Sequence, residues 1–299
     1  MHMRQMRSTD LEDVLPLVQE TKCSPQFDVD WLRYQTVGDL TCPSDLCLLA
    51  ESETGIVGFC FGCLRGGRGV IKLFGVAAPR RRAGIASALF EEMESRFRQR
   101  GASRATVGGV APNYFSPGVP VSGTAAISFL LQRGYETDRK TRVDMLVDLQ
   151  EADLDTVEVI AWLAKKGIVL RRAAEDEIEA VAAFAQRHFS HEWSVEVKGS
   201  SRFCPPPLFV ALKDRNPIGF AAYDVTGVSR FGPTGTHRRY RNQGIGSALL
   251  KKCLQSMRAR GDSTAEIGWV RPIDYYARAV GARVHRAYWM FHKKLNQVS

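Results

Sequence analysis

No run of apolar residues in this 299-residue chain reaches the ~18–20 that a membrane-spanning helix needs. A helical membrane protein is therefore not expected. The first residues lack the apolar core of a signal peptide, so the expected address is the cytoplasm. The seven cysteines are odd in number and lack framework spacing, which fits a reducing compartment. Cys60 and Cys63 form a C-x-x-C pair inside a strand-like apolar run, where positions three apart face opposite ways. With no second pair or nearby histidine to complete a metal set, buried thiols are expected there and no metal. Despite a net charge of +9, there is no basic tract interleaved with aromatics. The arginines gather instead at two places, Arg80, Arg81 and Arg82, then Arg238, Arg239 and Arg241. That clustering suits a polyphosphate ligand better than a nucleic acid.

What is present is a repeat. Apolar content of 44% and charged content of 24% describe an ordinary globular chain, long enough for two domains. The stretch Val76-Ala-Ala-Pro-Arg-Arg-Arg-Ala-Gly-Ile-Ala86 matches Thr236-His-Arg-Arg-Tyr-Arg-Asn-Gln-Gly-Ile-Gly246, 160 positions later. Arg81 maps to Arg241, Gly84 to Gly244 and Ala86 to Gly246. Arg100-Gly101 and Arg260-Gly261 keep the same offset, and each pair closes the helix after the turn. Thr106 to Val110 pairs with Glu266 to Val270 as the next strand, and Ile56-Val-Gly-Phe59 matches Pro217-Ile-Gly-Phe220. Agreement over several elements in one order indicates a duplicated unit.

Periodicity predicts β-α-α-β-β-β-α-β-α-β-β for each unit, a mixed sheet with helices on its faces. The expected domains are 1–150 and 167–299. Between them, residues 151–166 read as a linker helix with Val157, Ile160, Trp162 and Leu163 on its apolar side. Proline and two glycines in Phe231-Gly-Pro-Thr-Gly-Thr236 predict a bulged or splayed strand before the second turn.

This order of elements, with R-x-x-G-x-[GA] at the third strand–helix junction, resembles the GNAT superfamily of acyl-CoA-dependent N-acetyltransferases, twice over. The resemblance implies a mixed α/β fold in two tandem domains, each with a mostly antiparallel sheet flanked by helices. It implies acetyl-CoA as donor and a primary amine as acceptor, with transfer by direct attack in a ternary complex. Helix-start N–H groups can cradle a diphosphate wherever glycine permits close approach. By resemblance, Arg241, Asn242, Gln243, Gly244, Ile245, Gly246 and Ser247 form the second cradle. Arg81, Arg82, Ala83, Gly84, Ile85, Ala86 and Ser87 form the first, beside Val76. Thr234 and Thr236 line the thioester arm.

For the acid the resemblance points to a tyrosine in the helix after the fifth strand. Tyr276 fits, one residue further from the following glycine than the family pattern, and Tyr275 is its rival. Phe129 or Leu130 stands there in the first copy, so the second copy is expected to be the catalytic one and the first degenerate. Tyr114, in the loop Asn113 to Pro120, is an alternative acid and substrate contact. The strand glutamate usual in the family is missing from both copies. Glu266, Asp224 and His237 are the candidate bases, with Glu266 named first. Trp193, grouped with His188, His191 and Glu192, is expected to wall a small-molecule acceptor. The rival readings are a protein or peptide amine as acceptor, or an acyl-CoA-binding protein without turnover.

Overall fold

The computed structural model describes residues 1–21, 28–39, 42–109 and 111–295. Val110, expected on the strand after the first long helix, lies outside the described residues. Contacts divide the chain into two compact units, residues 1–142 with 286–299, and residues 143–285.

Unit 1 begins with β1 (His2–Gln5), α1 (Leu11–Gln19) and α2 (Val29–Gln35). The meander β2 (Cys47–Ser52), β3 (Gly55–Arg65) and β4 (Arg68–Val76) then leads into α3 (Ile85–Gln99). After these come β5 (Arg104–Val107), the two-residue β6 (Val119–Pro120), α4 (Thr124–Gln132) and β7 (Glu136–Thr137). Unit 2 opens with β8 (Arg142–Asp148), whose first residue still belongs to unit 1, α5 (Val157–Lys165) and β9 (Ile168–Arg172). It continues through α6 (Ile178–His188), α7 (His191–Lys198), β10 (Leu208–Lys213), β11 (Asn216–Tyr223) and β12 (Arg230–Thr236). Next are α8 (Ile245–Arg260), β13 (Thr264–Val270), α9 (Ile273–Val280) and β14 (Arg283–Trp289); from Arg286 onward the chain, including the final β15 (Phe291–Lys294), belongs to unit 1.

The sheet of unit 1 runs β1-β2-β3-β4-β5-β15-β7, and that of unit 2 runs β9-β10-β11-β12-β13-β8-β14. The pairs β4–β5 and β12–β13 are parallel, while the other registered pairs are antiparallel. The strands closing the two repeats have been exchanged. β8 ends the first repeat yet pairs with β13, and β15 ends the second yet pairs with β5. The compact units therefore differ from the linear division expected from the repeat. Ion pairs hold both exchanged strands, the buried Arg230 to Asp144 at 3.1 Å and the partly buried Lys293 to Glu94 at 3.0 Å.

In both units the glycine of the Gly-Phe strand has one packing purpose. A Cβ on Gly58 would lie 2.9 Å from Ile85 and 3.3 Å from Leu89; one on Gly219 would lie 3.2 Å from Ile245 and 3.3 Å from Leu249. The isoleucine and leucine of each long helix thus dock directly on bare backbone, at ~1.5–3 kcal/mol for each side chain buried. Cys60 and Cys63 lie in the cores on opposite faces of the unit 1 sheet, and burial pushes the Cys63 thiol up to about 11. Among the described residues no helix is long and apolar enough to cross a membrane.

Candidate active site

The parallel pairing that joins the halves of each sheet is short. β12 pairs with β13 only at Arg230 and Phe231, then continues along β11 to Thr236, while β13 continues along β8. The strands therefore part beyond Phe231. The register of β12 against β11 shifts there, with Gly232 and Pro233 set against Ala222 alone, which is the bulge the proline foretold. Gly232 has φ +124°, and among the described residues no heavy atom other than those of Gly232 and its chain neighbours lies within 4 Å of where its Cβ would be.

Past the strand, each turn adopts the same backbone. Arg82 and Gly84 have φ of 64° and 77°; Asn242 and Gly244 have φ of 60° and 78°. Each motif arginine fastens its turn to the strand end, Arg81 Nε donating to the Val76 carbonyl and Arg241 Nε to the Thr236 carbonyl, both at 3.1 Å. Gly84 and Gly244 cap α3 and α8, and the first helical bonds go from Ala88 to Gly84 and from Ala248 to Gly244. Among the described residues, the N–H groups of 82–87 and 242–247 have no hydrogen-bond acceptor. They are orphan donors at a helix start, where the dipole favours an anion. Gly84 and Gly244 are exposed, while Ile85 and Ile245 are buried and contribute backbone only. These residues fit a diphosphate.

The groove from turn to bulge differs between units. In unit 1 it is filled by Phe74, Phe90 and Phe129, with ring centroids 4.8 to 6.0 Å apart, and the space beside Ala86 holds no water-sized volume. In unit 2 the corresponding residues are Thr234, Leu250 and Tyr276. Thr234 Oγ1 donates to the Phe220 carbonyl at 3.1 Å. Tyr276 is buried with its ring edge-on to Phe231, where the strands part. Tyr275 is half-buried, and its hydroxyl would lie 3.2 Å from a Cβ on Gly246, with Thr236 Oγ1 at 3.6 Å. Tyr275 thus stands at the cradle and Tyr276 at the bulge. Burial raises both phenols, Tyr275 to about 12, and keeps them protonated.

The three candidate bases are all engaged elsewhere. Glu266 is 2% exposed, and its carboxylate lies 2.8 Å from Arg230 Nε, deep in the sheet. Asp224 accepts from the Ser229 N–H and pairs with Arg260. His237 Nδ1 accepts the Arg239 N–H at 3.3 Å. Sequence reasoning missed Glu196 on α7, which is 5% exposed; among the described residues its Oε1 has no hydrogen-bond partner. Burial raises its carboxyl to about 8, with Arg230 opposing and Glu192 reinforcing the shift. The one signal in the sequence was its spacing, three residues after Trp193 on a helix whose apolar side faces inward.

Trp193 stacks on Phe189 at 5.2 Å, and Phe189 in turn covers Gly235 of β12, where a Cβ would lie 2.5 Å from its ring. These two rings wall the α6–α7 side of the strand. Tyr114 belongs to unit 1 and is 8% exposed beside fully buried Phe115. Among the described residues, no group of three or more His, Cys, Asp or Glu is placed to hold a metal ion.

Comparison with solved structures reproduces this architecture. The GCN5-related glucosamine N-acetyltransferase region of a fungal multi-domain GH3 beta-N-acetylglucosaminidase superposes with TM-score 0.76 at 22% identity, over 98% of this chain. This chain spans 38% of the length of that one. A GCN5-related N-acetyltransferase from Sphaerobacter thermophilus gives 0.70 at 16% identity, covering 99% of this chain and 96% of that one. A tandem GNAT protein from the clavulanic acid biosynthesis pathway gives 0.71 at 17% identity, over 100% and 99%. No curated protein matches the sequence. The model of the acetyltransferase (GNAT) family matches residues 12–117 and again residues 169–282. With both units matched and both built around the same turn, the chain belongs to the acetyltransferase (GNAT) family.

Proposed function

We propose that the chain is an acetyl-CoA-dependent N-acetyltransferase whose unit 2 transfers the acetyl group to a primary amine of a small molecule, directly, in a ternary complex. The observation that carries this reading is the open space at Gly232, on the bulge where β12 leaves β13. The N–H groups of 242–247, with Arg238 beside them, would hold the diphosphate, and Thr234 and Thr236 would line the arm. When bound, acetyl-CoA supplies the activated acetyl thioester. Tyr276 holds a proton at its hydroxyl for the departing sulfur, being neutral across the working pH range and positioned at the parting of the strands. Tyr275 orders the mouth of the groove. Glu196 takes a proton from the acceptor amine, since a carboxyl near 8 is matched to that exchange. Phe189 and Trp193 enclose the acceptor against Gly235, an aromatic wall suited to a compact ligand. An acceptor of this class is named for the fungal neighbour, a glucosamine N-acetyltransferase region.

The test is thiol release by the full chain from acetyl-CoA, with and without a library of small amines. Release that depends on an amine supports the proposal. Saturable acetyl-CoA binding with no release for any amine selects the non-catalytic reading, and release with protein mixtures alone moves the acceptor to a protein amine.

A further inference from the structure

Unit 2 has a second concavity that the acetyl-transfer reading does not use. It is an open cleft of about 480 Å³ between α6, the start of β11 and the turn after β12. Its floor is apolar, with Phe184 and Ile218 among the residues that make it. Its polar lining is Arg187, His188, Asn216, His237, Arg239 and Tyr240, and among the described residues no carboxylate lines it. The two imidazoles meet edge to face with centroids 4.7 Å apart. His237 Nδ1 is taken by the Arg239 N–H, which assigns the ring proton to Nε2 and leaves that N–H to donate.

We propose that this cleft binds a small organic anion, a carboxylate or phosphate carried on an apolar body. The anionic end would lie among Arg187, His188, His237 and Arg239, with the apolar body on the Phe184–Ile218 floor. Four basic groups converging without a compensating acid leave local positive charge that an anion neutralises, and two guanidiniums provide planar donor forks for oxygen pairs. The apolar floor adds ~25 cal/mol for each Å² of ligand surface it covers, so inorganic phosphate alone is the poorer ligand.

The charged and titratable neighbours predict a pH dependence. On α6 these are Arg187 and His188. The β10–β11 turn brings Lys213, Asp214 and Arg215, with the Lys213 ammonium 5.8 Å from the Tyr240 ring. The turn after β12 brings His237, Arg238, Arg239 and Tyr240. Partial burial, then His237 and then Arg187, lower the His188 pKa, so that ring is neutral at alkaline pH. An anion entering the cleft favours its protonation, and affinity is highest on the acid side.

The experiment is calorimetric titration of the full chain with benzoate, which is ionised throughout, at about pH 5.5 and pH 8. Phenyl phosphate and inorganic phosphate form the parallel arms. Saturable one-site binding at pH 5.5 that weakens at least 5-fold by pH 8 is expected. In the double variant Arg187→Ala/His188→Ala it should weaken about 10-fold, while acetyl-CoA affinity and melting temperature stay at wild-type values. Unchanged benzoate affinity in that variant overturns the proposal. Absence of saturable binding overturns it as well, as does stoichiometric displacement of benzoate by acetyl-CoA, which would put the probe in the cradle. Inorganic phosphate binding as tightly as phenyl phosphate overturns the role of the apolar floor. None of these outcomes depends on turnover, so failure of the acetyl-transfer proposal would be recognised separately.

Discussion

Unit 1 places Lys72 at its bulge where unit 2 places Gly232, and that difference spreads to the surroundings of each. Lys72 is the extra residue of β4 against β3, set between Leu73 opposite Phe61 and Ile71 opposite Gly62. It is 5% exposed; its ammonium bonds the Gln35 carbonyl and pairs with Asp39 at 2.9 Å, while Arg65 pairs with the same carboxylate at 3.0 Å. Phe115 lies beneath it, the ammonium 5.7 Å from the ring centroid. On the other face, three phenylalanines close the groove. In unit 2 the bulge is bare and the groove keeps Thr234 and Tyr276. The turns themselves are alike in φ, arginine clasp and free N–H groups. The two copies thus share one turn geometry, while the first carries an ion pair at its bulge and aromatic rings along its groove.

The largest effect expected from breaking this contrast is structural. Asp39→Ala strands Lys72 and Arg65 as buried cations and should cost about 3–5 kcal/mol in urea unfolding. Lys72→Met leaves the Asp39–Arg65 pair in place and should cost far less. Equal losses would mean that the lysine plug is not what the acid serves.

Next in size is the kinetic contrast at the paired aromatic position. Tyr276→Phe should lower kcat about 10²–10³-fold with folding intact, whereas Phe129→Tyr in unit 1 should leave turnover unchanged. A deeper loss in Tyr275→Phe would hand the proton to that hydroxyl instead.

The two cradles offer a smaller contrast. Gly246→Ala sets a methyl 3.2 Å from the Tyr275 hydroxyl and should weaken acetyl-CoA binding about 10-fold, or ~1.4 kcal/mol. Ala86→Gly should leave the measured affinity within about 2-fold, because the groove beyond it is filled.

The mildest effect is on pH dependence. The Glu196 carboxyl rises from 4.5 to about 8 on folding, so between those values the native state holds a proton that the unfolded chain has released. Native stability therefore falls as pH climbs through that window. Glu196→Gln removes the dependence. The variant should melt with wild type near pH 4.5 and several degrees above it at pH 8. Wild-type turnover should rise through pH 8, and a variant that keeps that rise would exclude Glu196 as proton acceptor.

Much of this fold was legible in the residues, because duplication prints the same local grammar twice. The paired turns, the glycine under Ile85 and Ile245, and the prolyl bulge all rest on contacts between near neighbours or on backbone chemistry. The exchange of β8 and β15 was not, since a strand carries no mark of which sheet receives it; the pairings with β13 and β5 reveal it, along with the Arg230–Asp144 and Lys293–Glu94 ion pairs. Glu196 escaped for a related reason. On a helix beginning His191-Glu-Trp, an acid looks like part of a wet face until neighbouring elements cover it. Glu266 shows the reverse case, an acid on the expected strand whose partner, Arg230, stands 36 positions upstream.

The crossed ending of the two repeats has a genetic consequence. A gene cut near codon 150 would yield one piece with a surplus strand and a missing one, and another with the complementary defect. Each product would bear a raw sheet margin open to stray pairing. The copy with the filled groove therefore cannot be removed without also taking a strand from its neighbour's sheet.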